Sequence, residues 1–414
     1  MKNWIWVVLC ATGIIFTAMS KIPVDGTFAH WKAQWYSLYL ILAPLIFFQV
    51  RKKTSDVCAI LAVLTYISCI GVFQNPSGLF RNSSSTLQLV FQKDSARALC
   101  ALLILFTANC AIKSQFRKNL LSAFGWYAVA DSLYIIFQYG LRIYNGQDPT
   151  TYTSFVGMLG YAGISGCLIA ICYPLHIDNL KSFLPPRKSF FLFVILAILP
   201  IVGVILTRAS IPVGALAISL FVYGFIKLKN LVGIVRASAL TLLIGVCIFL
   251  VASLYDPGLF DSGQRFTAYP IFMKFWYHNF PLLTGSGQGT FFGLGPEIQR
   301  VEKFQWCFLP NGHSCPQQES IWYWIHSDLI QLLFEQGLLS FLTALLVCLE
   351  LVVVLKTRPH LLATFLSFLG VATFNYPVHY ALFSFLISLI IFEAYEKMRC
   401  LSDENSQEHS VLGN

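Results

Sequence analysis

Charge is what this chain has least of. Of 414 residues only 11% are Asp, Glu, Lys or Arg, while 57% are hydrophobic. A soluble domain carries about 25% charged residues. A water-soluble chain of this composition would have to bury nearly all of its apolar surface, which excludes an ordinary soluble enzyme or binding module. Also missing are a dividing linker, a low-complexity stretch and an internal repeat, which leaves a single domain. No clustered basic face accompanies a nucleic-acid motif, so the +9 net charge does not indicate a nucleic-acid partner.

What the chain has instead is long apolar runs, each near the 17–25 residues needed to cross a bilayer. We place about twelve spans, at roughly 4–19, 35–50, 57–73, 97–112, 119–139, 154–175, 189–206, 211–226, 237–254, 328–355, 360–376 and 378–395. The expectation is an all-α polytopic membrane protein. Its membrane domain covers 1–399 and includes an outer loop at 255–327; a short polar tail follows at 400–414. The basic region before the first span is one lysine, Lys2, and with eleven more spans expected the span reads as retained rather than as a cleaved leader.

Lys and Arg in the connections give an orientation. With a cytoplasmic N-terminus, the cytoplasmic side collects Lys2, Arg51, Lys52, Lys53, Lys113, Arg117, Lys118, Lys181, Arg187, Lys188, Lys227, Lys229, Arg236, Lys356, Arg358, Lys397 and Arg399. Those are seventeen of the 28 basic residues, and every expected cytoplasmic loop holds at least two. Both termini are then cytoplasmic. Nine of the twelve cysteines fall in apolar spans, where Cys behaves as a small hydrophobe. Cys307 and Cys315 lie in the outer loop, within CFLPNGHSC. An oxidising compartment favours a disulfide between them; two free thiols, or a zinc site with His313, are the alternatives.

The outer loop, from about Tyr255 to Ser327, is far longer than the other connections and rich in aromatics, which argues for a folded cap and against disorder. Within it, Arg265, Tyr269, Phe272 and Trp276 share one helical face, with Pro270 expected near the first turn. Such a face suits the headgroup region, where the Arg meets either a bound anion or lipid phosphate. Next come Gly285, Gly287 and Gly289. Alternate glycines permit close backbone approach and can present N–H groups to an anion. They follow no strand of a βαβ unit, so they are no dinucleotide fingerprint, and a plain turn explains them equally well.

At the end of the loop His326 stands where the chain re-enters the membrane, and Asp328, Gln331 and Glu335 put polar groups on one face of an apolar helix. Ionisable groups at such depth usually line an interior cavity. An imidazole beside a carboxylate at that boundary suits a general base; the alternative is a helix cap made by Ser327 or Asp328. Arg208 sits in the short outer connection Thr207–Ser210, to bind an anionic headgroup or to snorkel. Asp131 lies mid-span and is expected to make a structural pair with Arg97.

Taken together, the layout and three local patterns resemble the O-antigen ligase superfamily: O-antigen ligases, O-antigen polymerases and bacterial protein O-oligosaccharyltransferases. The patterns are Thr207-Arg208-Ala209-Ser210, the stretch from Gly263 to Phe291 with Arg265, and the stretch from His326 to Gly337. The chain departs from the family in Ser327, where Asn often follows the His, and in the Ala209-Ser210 pair. The resemblance implies a fold like the C-type membrane glycosyltransferases. It also implies an undecaprenyl-diphosphate-linked glycan donor, and an acceptor on the periplasmic side of the bacterial inner membrane. Arg208 and Arg265 would hold the diphosphate, and His326, oriented by Asp328, would deprotonate the acceptor hydroxyl. No metal or cofactor is implied. The expected acceptor is lipid A-core, as for a ligase, with a growing glycan or a protein as alternatives. A transporter or flippase of lipid-linked sugars is the rival of a different class; the missing repeats and the polar groups gathered at one face weigh against it.

Overall fold

The computed structural model describes residues 114–147, 155, 157–158, 162–184, 189–236, 238, 243, 265–286, 291, 294, 298, 301, 325, 327–375, 377, 383 and 386–397. Among these residues the regular structure is entirely helical. The helices are α1 (Ser114–Tyr144), α2 (Ala162–Phe183), α3 (Phe190–Leu206), α4 (Ser210–Val232), α5 (Arg265–Asn279), α6 (Asp328–Leu355), α7 (Pro359–Phe374) and a last helical segment, α8, at 386–397. Three stretches, Arg117–Tyr144, Ser210–Lys229 and Asp328–Leu355, are long and apolar enough to cross a membrane. The chain is therefore a membrane protein by the length and composition of its helices.

Where the expected spans fall on described residues, α1, α3, α4, α6 and α7 overlap them closely. The run expected at 154–175 is displaced: the helix covers Ala162–Phe183, and residues 155, 157 and 158 precede it as non-helical chain. Asp131 of α1 accounts for this shift. It is fully buried and accepts the Met158 N–H at 2.6 Å, so this segment satisfies a buried carboxylate instead of extending the helix. Tyr127 Oη donates to the same carboxylate at 3.3 Å. Arg97, its expected partner, lies outside the described residues, as do the spans at 4–19, 35–50, 57–73 and 97–112 and nearly all of 237–254. Of the run expected at 378–395, residues 383 and 386–395 are described and are helical, and the helix continues to 397.

α2 is the central helix. Its residues from Ile164 to Ile177 are all buried, as expected for a helix apolar on every side. It packs against α1, α3, α4 and α7. Three helices, α2, α3 and α5, contain an internal proline, and in α2 and α3 the carbonyl freed four residues earlier, because proline has no N–H, is met by a neighbouring helix. Pro174 in α2 frees the Ala170 carbonyl, and Ser219 Oγ of α4 donates to it at 2.8 Å. Pro200 in α3 frees the Leu196 carbonyl, and His176 Nε2 of α2 donates to it at 3.0 Å. In an apolar surrounding an unmet carbonyl is costly, so these side chains from neighbouring helices make the prolines tolerable. Ser367 of α7 extends the first network, lying 2.5 Å from Ser219 Oγ and donating to the Ala215 carbonyl at 3.1 Å.

The bundle has two chemically distinct ends. One holds the start of α1, the end of α2, the start of α7 and the end of α8. Here Arg117 is fully buried; its Nε pairs with Glu393 Oε1 at 3.2 Å, its Nη2 with Glu396, and its guanidinium lies 4.0 Å from the centre of the Phe392 ring. Arg358, in the bend between α6 and α7, pairs with the other oxygen of Glu393. The opposite end holds the α3–α4 turn, the start of α6 and the end of α7.

Candidate functional site

At that opposite end, the Asp328 N–H donates to the Asn375 carbonyl at 3.0 Å, joining the start of α6 to the end of α7. Ser327 caps α6: its Oγ accepts the Ile330 N–H at 3.2 Å. Asp328 follows as the first-turn acidic residue, where a carboxylate meets the helix dipole favourably. The capping reading is thus correct for Ser327, and Asp328 is half-buried. His326 lies outside the described residues.

Arg208 reaches the same end. It follows Thr207, which closes α3 with its Oγ1 donating to the Val204 carbonyl at 2.7 Å, and it precedes the start of α4 at Ser210. The early turns of α4 lie beside the later turns of α7, where Ile218 touches Gly370. Arg208 has φ +51°, the only positive φ of a non-glycine residue among the described residues. A side chain in this left-handed region is uncommon and costs about 1–3 kcal/mol. The tight turn fixes this conformation, so the guanidinium starts from a constrained backbone. Arg265 is the first residue of α5, and only its backbone is described.

The aromatic face of α5 is present but does not lie along headgroups. Tyr269, Phe272 and Trp276 are buried in a second core with Phe291, Leu294, Ile298, Ile325 and Phe334. Phe291 meets Phe272 and Phe334 edge to face, at 5.0 and 5.2 Å between ring centres. Such aromatic pairs add about 0.5–1.5 kcal/mol each beyond burial. The face is spent on folding the loop against the start of α6, and Pro270 stands inside the helix rather than in its first turn.

The polar residues of α6 have a structural use that periodicity did not suggest. Glu335 is 1% exposed, and its Oε1 accepts the Phe291 N–H at 3.2 Å and Gln331 Nε2 at 3.1 Å. It anchors the chain beyond the glycine stretch to the helix. The amide oxygen of Gln331, Oε1, is buried with no hydrogen-bond partner among the described residues.

Two residues beyond Glu335, α6 is broken at Gly337 (φ 76°, ψ −177°). The turn at 281–286 fills the break. Ser286 N donates to the Phe334 carbonyl at 2.9 Å, with Ser286 Oγ reaching the same oxygen at 3.1 Å. In return the Leu338 and Leu339 N–H groups donate to the Leu282 and Leu283 carbonyls at 2.8 and 3.3 Å. The backbone groups freed by the break are thus met by the outer loop. Gly285 explains why a glycine is needed in that turn: a Cβ there would lie 2.6 Å from Gly337 N and 2.7 Å from the Glu335 carbonyl. Gly287 and Gly289 lie outside the described residues, as do Cys307, His313 and Cys315. Past the break, residues 338–355 would extend about 27 Å, close to a bilayer's hydrocarbon thickness. They expose Leu342, Leu345, Leu346, Leu349 and Val353 on one side. No protein-family model matches the chain, and no curated protein is significantly similar to it in sequence.

Proposed function

We propose that the chain is a metal-independent glycosyltransferase of the bacterial inner membrane. In this reading it has about twelve spans, with both termini in the cytoplasm and a cap over a periplasmic active site. It moves a glycan from an undecaprenyl-diphosphate carrier to an acceptor hydroxyl, with lipid A-core as the acceptor. Protein O-glycosylation and glycan polymerisation are the variants of the same chemistry.

The observation that carries this reading is Arg208. Its strained left-handed backbone holds a cation in a short turn, at the end of the bundle where α6 begins. Backbone strain of this kind clusters at ligand clamps and active sites. A diphosphate leaving group needs permanent, planar cations, a role for which Arg is better suited than Lys. Arg208 and Arg265 would stabilise the charge developing on the departing diphosphate. The acceptor oxygen attacks the anomeric carbon, the carbon–oxygen bond to the diphosphate breaks, and the hydroxyl proton passes to His326. Asp328 would orient the imidazole, with Gln331, Glu335 and the glycine turn supporting the floor of the site.

The test uses purified protein in detergent, a polyprenyl-diphosphate-linked glycan and candidate acceptors. Transfer is expected for the native chain, loss for His326→Ala with folding retained, and severe impairment for Arg265→Lys. Normal turnover by His326→Ala would sink the proposed base. The break in α6 favours a second reading, because discontinuous helices are frequent in transporters. Detergent micelles have no sides, so glycan transfer in them excludes a pure transporter. Profiling lipopolysaccharide and glycoproteins after gene deletion identifies the acceptor.

A further inference from the structure

The opposite, basic end of the bundle holds a cavity of about 390 Å³, formed by α1, α2, α7 and α8. That volume falls within the range of about 300–1,000 Å³ typical of small-ligand sites. Its polar wall includes Lys118, Asp178, Asn179, Arg358, His360 and Glu393, and its apolar wall is Leu121, Leu175 and Leu361. None of these residues takes part in the chemistry proposed at the other end.

The charges in this cavity are unequally matched. Glu393 is 3% exposed at its side chain, and its two oxygens are occupied by two different guanidiniums, those of Arg117 and Arg358. Asp178 Oδ2 faces His360 Nδ1 at 3.7 Å. Asn179 Nδ2 is spent on the Ser122 carbonyl at 2.7 Å. Glu393 is thus doubly paired, whereas Asp178, 43% exposed at its side chain, faces the imidazole at a distance beyond a hydrogen bond. Lys118 is exposed and meets no carboxylate among the described residues. Arg358 keeps a partly exposed guanidinium, at 36%, with donors beyond the one given to Glu393. Lys118 and Arg358 thus face a cavity in which Glu393 is doubly paired and Asp178 stands against an imidazole, with three leucines alongside.

We infer that this cavity binds a phosphate ester, with Lys118 and Arg358 as its anion contacts and the leucine wall taking the ester's carbon skeleton. Basic pockets between membrane helices suit phospholipid headgroups, and a phosphodiester beside an apolar wall matches that chemistry. A free phosphorylated metabolite presents the same group without acyl chains, and the experiment separates the two sources.

The experiment measures thermal midpoints of the purified full-length protein in neutral detergent. Added separately are phosphatidylglycerol, the neutral lipid diacylglycerol, and glycerol 3-phosphate. Phosphatidylglycerol is expected to raise the midpoint and diacylglycerol to leave it unchanged. Lys118→Ala should weaken the apparent lipid affinity about fivefold and Lys118→Glu should abolish it. Because Lys118 is exposed and meets no carboxylate among the described residues, both variants should fold, and Lys274→Ala on α5 should respond as the native chain. A shift with glycerol 3-phosphate matching that with the lipid assigns the site to a soluble phosphate ester. The inference is overturned if neither phosphate compound shifts the midpoint, if diacylglycerol shifts it equally, or if Lys118→Glu responds like the native chain.

Discussion

Replacing Gly337 by alanine should undo the joint between the outer loop and α6. The backbone there (φ 76°, ψ −177°) lies in a region essentially reserved for glycine, where a side chain costs about 1–3 kcal/mol. The added Cβ would also lie 2.6 Å from Gly285 N, a backbone atom with no rotamer to change. Making room means retracting the 281–286 turn, which weakens the three backbone hydrogen bonds across the joint: Ser286 to Phe334, Leu338 to Leu282 and Leu339 to Leu283. Each is worth about 0.5–1.5 kcal/mol net. Alanine gives back about 1 kcal/mol if the helix becomes continuous, so the balance is about 2–5 kcal/mol against the native arrangement. The variant should show a thermal midpoint in detergent lower by several degrees and faster proteolysis within 281–286. Gly285→Ala attacks the same contact from the other side. The double variant should therefore be much less destabilised than the two single effects added together. Native-like midpoint and protection in Gly337→Ala, or full additivity in the double variant, would refute the joint.

Other perturbations probe separate parts of the molecule. Ser219→Ala leaves the carbonyl freed by Pro174 unmet and should cost about 1–3 kcal/mol by thermal or denaturant unfolding, whereas Thr at this position should rescue it. Glu393→Ala leaves Arg117 buried without one of its partners, and the loss should reach about 3–5 kcal/mol, visible as poor yield and early unfolding. Arg208→Gly relieves a left-handed residue, so stability should be unchanged or higher by about 1 kcal/mol while glycan transfer is lost. A drop in both together would mean that Arg208 serves the fold rather than the donor.

The apolar runs were legible because crossing a bilayer requires long uncharged helices, a demand that composition alone reveals. The helix expected at 328–355 is found at Asp328–Leu355, since its boundary residues, Ser327 and Lys356, are chemically marked in sequence. The run expected at 154–175 was misplaced because its apolar character continues past the true helix start. What holds Met158 apart is Asp131, a residue in another helix. The aromatic face of α5 was read correctly as a face and wrongly as a membrane surface, since periodicity reports amphipathicity without naming what covers it.

The sequence by itself determined the solvent of this protein and, among the described residues, most of the helix positions, because hydropathy and helix length are local properties of the chain. Only the tertiary structure decided how the backbone's interruptions are satisfied. That Ser219 and His176 meet the carbonyls freed by two prolines, and that the 281–286 turn fills the break at Gly337, depends on contacts between distant segments. A hydrogen bond needs its donor within about 3 Å of its acceptor. That proximity is set by packing, which residue spacing along the chain does not encode.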